Sequence, residues 1–273
     1  MPGVKAVLRV PLHDGGEGVA VVADGYWAAK QGREALKIDW NDSGREKVDS
    51  VKQLAAYRAL AATTGNIKHD ADMAPLAGAP HKLSAEFVFP YLAHAPMEPL
   101  NALVDLKPQA CTVWCGSQFQ TIDHLAIART AGLPPEKVSL VTTLAGGGFG
   151  RRANPSSDYL VEAVNIAKGM KGAGIAAPVK VIWSREDDIK GGYYRPQFVH
   201  RVLAGTDAAG KLVGWNHSLV GQSILKGSPF ESAFVKGGID ATATEGVVDT
   251  PYAIPNLSVQ VHHPEVNVPV LWW

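Results

Sequence analysis

Apolar and polar residues alternate over residues 4–10, which predicts a β-strand, and 18–23 read as a short buried strand. Residues 26–36 follow a helical pattern, helped by Ala28, Ala29 and Ala35, and 36–40 read as another strand. A polar stretch from Asp42 leads into a helix over about 51–62, closed by Thr63-Thr64-Gly65. Residues 66–82, with His69, Asp70, Asp72, Pro75, Gly78 and Pro80, read as loop.

A second region opens with a strand over 82–90. Residues 103–106 and 111–115 form a strand pair about Lys107-Pro108-Gln109, and 120–131 form a helix stopped by Gly132 and Pro134-Pro135. The apolar, β-branched run 138–144 predicts a buried strand. Ser156 or Ser157 is placed to cap a helix reaching about Met170. Strands follow at 179–183, in a hairpin of 197–203 with 211–221, and at 257–262 and 268–273. This mixture, without repeats or low-complexity tracts, predicts an α+β fold.

Composition narrows the function classes. The 273 residues are 46% hydrophobic and 19% charged, with 26 basic against 26 acidic side chains. No basic excess marks a nucleic-acid or anionic-membrane surface. No apolar run approaches the roughly 20 residues a membrane span needs, and no signal peptide is visible, which leaves the compartment open. Cys111 and Cys115 sit four apart in a strand and share a face, as buried thiols rather than a zinc site. His262 and His263 point to opposite faces, so no metal ligand set is assigned. No Gly-x-Ser-x-Gly elbow supports a serine hydrolase.

The strongest local signal is the buried strand 138–144, the loop Gly146-Gly147-Gly148-Phe149-Gly150, and the helix after it. Such a loop lets backbone approach a ligand closely, and its amides can bind an anion. Tight packing is the other reading of the same glycines. Arg151 and Arg152 could neutralise a phosphate or pair with carboxylates. The P-loop and dinucleotide patterns both fail here.

The loop resembles the molybdopterin loop of the xanthine dehydrogenase and aldehyde oxidase family, and Arg151-Arg152 resembles its isoquinoline 1-oxidoreductase-like branch. Four other segments follow the family's order. His94-Ala95-Pro96-Met97-Glu98-Pro99 is similar to its histidine to Glu-Pro element, and Ser117-Gln118 to its glutamine segment. Ser184-Arg185-Glu186-Asp187-Asp188 is similar to its Arg-Glu-Asp box, and Tyr252-Ala253-Ile254-Pro255-Asn256 to its Tyr-x-x-Pro-Asn element.

The resemblance implies a partial hammerhead α/β unit over 1–45, a connector with one helix over 46–81, and the first part of a molybdopterin-binding domain over 82–273. It implies cofactor contacts from Gln118, Gly146, Gly147, Gly148, Phe149, Gly150 and Arg151. Gln118 would donate its amide to the metal's oxo group, and Phe149 would face the substrate pocket. His94, Met97 and Glu98 would shape the pocket or the subunit interface. No catalytic residue is assigned, because the family's glutamate lies beyond the matching segment; acid–base work by the Arg185 box is disfavoured against an Arg-paired loop.

The cofactor implied is molybdopterin, its cytosine dinucleotide form included, in the complete enzyme; the fragment could hold none. The implied partners are an iron–sulfur small subunit, a cytochrome, and an aldehyde or N-heterocycle substrate. Members of the family are often periplasmic or membrane-associated. The chain reads as a fragment, inactive alone; the alternatives are a non-catalytic cofactor- or partner-binding module and a stand-alone fragment of unrelated activity. Exposed apolar surface around 268–273 predicts homo-oligomers.

Overall fold

The computed structural model describes residues 1–273 except Asp42, Gly44, Arg45 and Glu46. The start of the polar connector at Asp42, and its border at 45–46, lie outside the described residues. Packing divides the chain into two compact units. One holds Met1–Gly44, Ala93–Gly192 and Trp273; the other holds Arg45–Leu92 and Tyr193–Trp272.

In the first unit, Val4–Pro11 and Glu17–Ala23 form an antiparallel hairpin. It rests on the helix Asp158–Gly172 through Val10, Val22, Ile166 and Met170. A separate sheet runs in the order Val138–Thr142, Ala110–Cys115, Asn101–Lys107, Val179–Ile182. The first two strands are parallel and are joined through the helix Gln120–Ala131, as a parallel pair requires. That helix stops where the pattern predicted. Gly132 turns left-handed (φ +71°), its N–H donates to Arg129 O, and Leu133 N–H donates to Ala128 O. Leu100, Val104, Val113, Ile127, Leu160 and Val164 fill the core between sheet and helices. Cys111 and Cys115 lie in it as free thiols, both pushed up to about 11 by burial.

In the second unit, five strands run in the order Asn66–His69, Leu257–His262, Leu212–Gly221, Phe198–Thr206, His81–Phe89. The helix Ser50–Ala61 is capped by Asp49, which accepts from Val51 and Lys52 N–H, and sets Tyr57 and Ala61 against Val199 and Val220. Leu219, Val259 and Val261 occupy the other face with Ile239 and Ile254.

The α+β fold class stands, with five corrections in detail. Residues 36–40 form no strand, because nothing pairs with them. Within 66–82, residues read as loop form the strand Asn66–His69 and the helix Ala74–Ala77. Residues 268–273 form no strand either, only the bridge between Val270 and Tyr194. Nor are they the main exposed apolar surface: Leu271 is 2% exposed, and Trp273 is the large side chain that faces out. Finally, Ser157 stands at the helix N-cap but caps nothing, because its backbone is left-handed and its Oγ donates to Asp123. Among the described residues no helix is long and apolar enough to cross a membrane.

Candidate functional site

The glycine loop connects the strand Val138–Thr142 to the helix Asp158–Gly172, and everything that holds it lies in the first unit. Gly147 (φ +98°) and Gly150 (φ +96°) take backbone angles that favour glycine, and Phe149 is left-handed at φ +54°. Two close approaches fix the other glycines. A Cβ on Gly146 would lie 2.6 Å from Glu98 Cβ, and one on Gly148 would lie 2.4 Å from Gln118 Oε1.

Glu98 is the clamp. Its N–H donates to Gly146 O at 3.0 Å, and its Oε2 accepts from Gly146 N–H at 2.7 Å and Arg152 Nη2 at 3.1 Å. Asn101 Nδ2 donates to Oε1 at 2.9 Å. Burial pushes the Glu98 carboxyl up, but the Gly146 bond, the Asn101 amide and Arg152 outweigh it and hold it below its ordinary 4.5. A carboxylate held down in the folded state stabilises the protein above its unfolded value, and that contribution is lost as pH falls through the folded value. Wild type is therefore expected to lose its stability advantage over Glu98→Gln progressively as pH falls below the ordinary carboxylate range and through the depressed folded value. Urea unfolding of both proteins from pH 7 to pH 3 measures it; an advantage that does not shrink toward the acid end would count against the clamp.

Both arginines lie beneath the loop. Arg151 gives its guanidinium to Asp158, at 3.0 and 2.6 Å, lies over the Trp183 ring, and donates its N–H to Gly148 O. Arg152 is fully buried. Its Nε donates to Gly147 O and its Nη2 to Glu98 O, both at 3.0 Å. Of the two readings left open by the sequence, pairing with carboxylates is what the geometry contains.

Gln118 stands at the open side of the loop. Its Oε1 accepts from Arg152 N–H at 3.2 Å, while its Nε2 has no acceptor among the described residues. The N–H groups of Gly147, Gly148, Phe149 and Gly150 likewise have no acceptor among the described residues. Phe149 is 56% exposed and stacks on Trp273, with ring centroids 5.9 Å apart. His94 is buried, whereas Met97 is 90% exposed at the tip of its turn. The Arg185 box is a short helix, Arg185–Lys190, with a capping box from Ser184 and Asp187. Arg185 pairs with Asp188 at 2.7 Å and donates to the Pro96 and Met97 carbonyls, so it braces the turn that carries Glu98. Among the described residues no group of three His, Cys, Asp or Glu side chains stands together as a metal ligand set.

Sequence reasoning missed Asp123. Buried in the helix Gln120–Ala131, it accepts from Ser117 Oγ at 2.5 Å and Ser157 Oγ at 2.7 Å, tying the Gln118 segment to the helix after the loop. Burial raises its carboxyl despite those two bonds. The available signal was an acidic residue in the first turn of an apolar helix.

These residues fit a molybdopterin. A fixed side-chain amide with a free donor lies beside a run of unengaged backbone N–H groups, and a Cβ at Gly148 would close that cradle. Comparison with known proteins agrees. The model of the molybdopterin cofactor-binding domain matches residues 56–270. The isoquinoline 1-oxidoreductase beta subunit of Brevundimonas diminuta is 30% identical, over 82% of this chain and 29% of its own length. The membrane-bound aldehyde dehydrogenase (pyrroloquinoline-quinone) of Gluconacetobacter polyoxogenes is 28% identical, over 81% and 30%. Quinoline 2-oxidoreductase from Pseudomonas putida 86 shares the fold at a TM-score of 0.65 and 15% identity, over 99% of this chain and 38% of that one. The aldehyde oxidoreductase of Desulfovibrio gigas shares it at 0.59 and 18%, over 96% and 32%. The chain thus spans under a third of the two curated relatives. With the Glu98 clamp, Gln118 and the glycine loop all inside the matched span, the chain belongs to the molybdopterin cofactor-binding domain family.

Proposed function

We propose that this chain supplies one wall of the molybdopterin site in a molybdenum hydroxylase large subunit of the isoquinoline 1-oxidoreductase type. The complete enzyme would oxidise an aldehyde or N-heteroaromatic carbon with water-derived oxygen, and pass electrons to an iron–sulfur subunit and onward to a cytochrome. The observation that carries the reading is Gln118, whose Oε1 is held by Arg152 N–H so that Nε2 is left to donate. When bound, the molybdenum cofactor supplies the redox chemistry, and the protein orients it.

The residues of this chain bind and orient. The amides of residues 147–150 take an oxyanion of the cofactor, Gln118 Nε2 fixes an acceptor beside it, and Phe149 offers an apolar face. Arg151 and Arg152 act from below by keeping the loop in shape. Glu98, the carboxylate that touches the loop, is a clamp and a poor base, because it accepts three bonds and its pKa is depressed. The 273 residues are therefore expected to retain pterin and show no aldehyde-dependent dye reduction. Pterin fluorescence of the denatured, oxidised protein measures the first, and a dye-reduction assay the second. Dye turnover by the chain alone would sink the wall-only reading, and absence of any pterin after expression in a cofactor-producing host would sink the cofactor-binding one.

A further inference from the structure

The second unit carries an unpaired sheet edge. His81–Phe89 is the outermost of the five strands and pairs only with Phe198–Thr206 among the described residues. Its nine residues pair without a bulge, and the prolines, Pro80 and Pro90, lie outside it. Nearly every residue is exposed, with Leu83 at 71% and Phe87 at 52%. Natural edges this long are usually interrupted by a bulge, a proline or an inward charge, because the free N–H and C=O groups invite another strand.

The side chains say which strand. Lys82 and Glu86 are four apart, so they share a face. An antiparallel pairing of two copies about Ser84 sets Lys82 opposite Glu86 of the second copy, and Glu86 opposite Lys82 of the second copy. Leu83 then faces Ala85, and Phe87 faces His81 with Leu83 on its diagonal, so the apolar face is also continuous. Sliding the strands by one step of the symmetric register sets Lys82 against Val88, or Glu86 against Pro80, and leaves both charges unmatched. Glu86 already accepts from Arg58 Nε through Oε1 at 2.8 Å, which leaves Oε2 for the incoming lysine. Lys82 Nζ donates to Ala77 O and has further protons to give.

We propose that this face is a self-association surface: two copies of the chain pair antiparallel through His81–Phe89 in the register that sets Lys82 against Glu86. The contact is isologous and closes as a dimer. A strand from an unrelated protein would have no reason to show this self-complementary charge pattern.

The test is sedimentation velocity of the purified chain from about 1 to about 100 µM, with circular dichroism as the folding control. Wild type is expected to pass from monomer to dimer. Lys82→Glu and Glu86→Lys, each alone, turn two attractive cross-strand pairs into repulsive ones and should weaken dimerisation at least about tenfold. Mixing the two variants should regenerate dimer, because each then meets its complement. A wild type monomeric throughout, species growing beyond dimer, dimerisation indifferent to Lys82→Glu, or a mixture that stays monomeric would each overturn the proposal.

Discussion

Asp158→Ala is expected to destabilise the protein by about 3–5 kcal/mol, because it removes the carboxylate that pairs bidentately with the buried Arg151 guanidinium. Both side chains are almost fully enclosed, at 3% and 5% exposure, and the pair is bidentate. Solvent therefore cannot take over the lost bonds. The carboxylate also stands in the first turn of Asp158–Gly172, where a negative charge favours the helix dipole. Against a typical total of about 5–15 kcal/mol, such a loss is large. Removing both charges together, as Arg151→Met with Asp158→Leu, should restore part of it, since the guanidinium that needs the Asp158 carboxylate is then gone as well. Urea unfolding of the single and double variants measures the difference. A single-variant loss under about 1 kcal/mol, the scale of an exposed pair, would show that Arg151 does not anchor the loop from below.

This pair marks the limit of what the chain reveals in one dimension. The glycine loop and the strand and helix around it were legible as elements, because their signals are local: a β-branched run, then glycines, then a long apolar helix; the burial read for 138–144 was not, since the strand ends at Thr142 and Val141 and Leu144 face out. The stop at Gly132 was legible for the same reason. Whether Arg151 reaches outward or inward was not, because the answer depends on Trp183 and Asp158, which the fold brings to it. Arg152 likewise depends on Glu98, 54 residues away. Asn66–His69 is four exposed residues with no period of their own, and becomes a strand only because Leu257–His262 arrives beside it. Residues 36–40 carry the better strand pattern and meet no partner. Pairing between distant segments decides such cases, and local propensity loses to it.

Gly148→Ala should separate site function from stability. The new Cβ would lie 2.4 Å from Gln118 Oε1 and 2.7 Å from its Cδ, closer than atoms can approach. Gln118 is exposed, so its side chain swings away instead of forcing the backbone to move. The fold then loses one acceptor for Arg152 N–H, a loss of about 1–3 kcal/mol. The site loses the orientation of Nε2, and pterin retention should fall by roughly tenfold, the usual worth of one well-placed neutral bond. Gln118→Ala should reach a similar deficit by removing the donor outright. The two changes act through one group, so the double variant should retain about as much pterin as Gln118→Ala alone. Pterin per chain, measured by fluorescence in all four proteins, decides it. If the deficits of the single variants add, the substitution acts by displacing the loop amides that hold the cofactor, and Gln118 is not the group through which it acts.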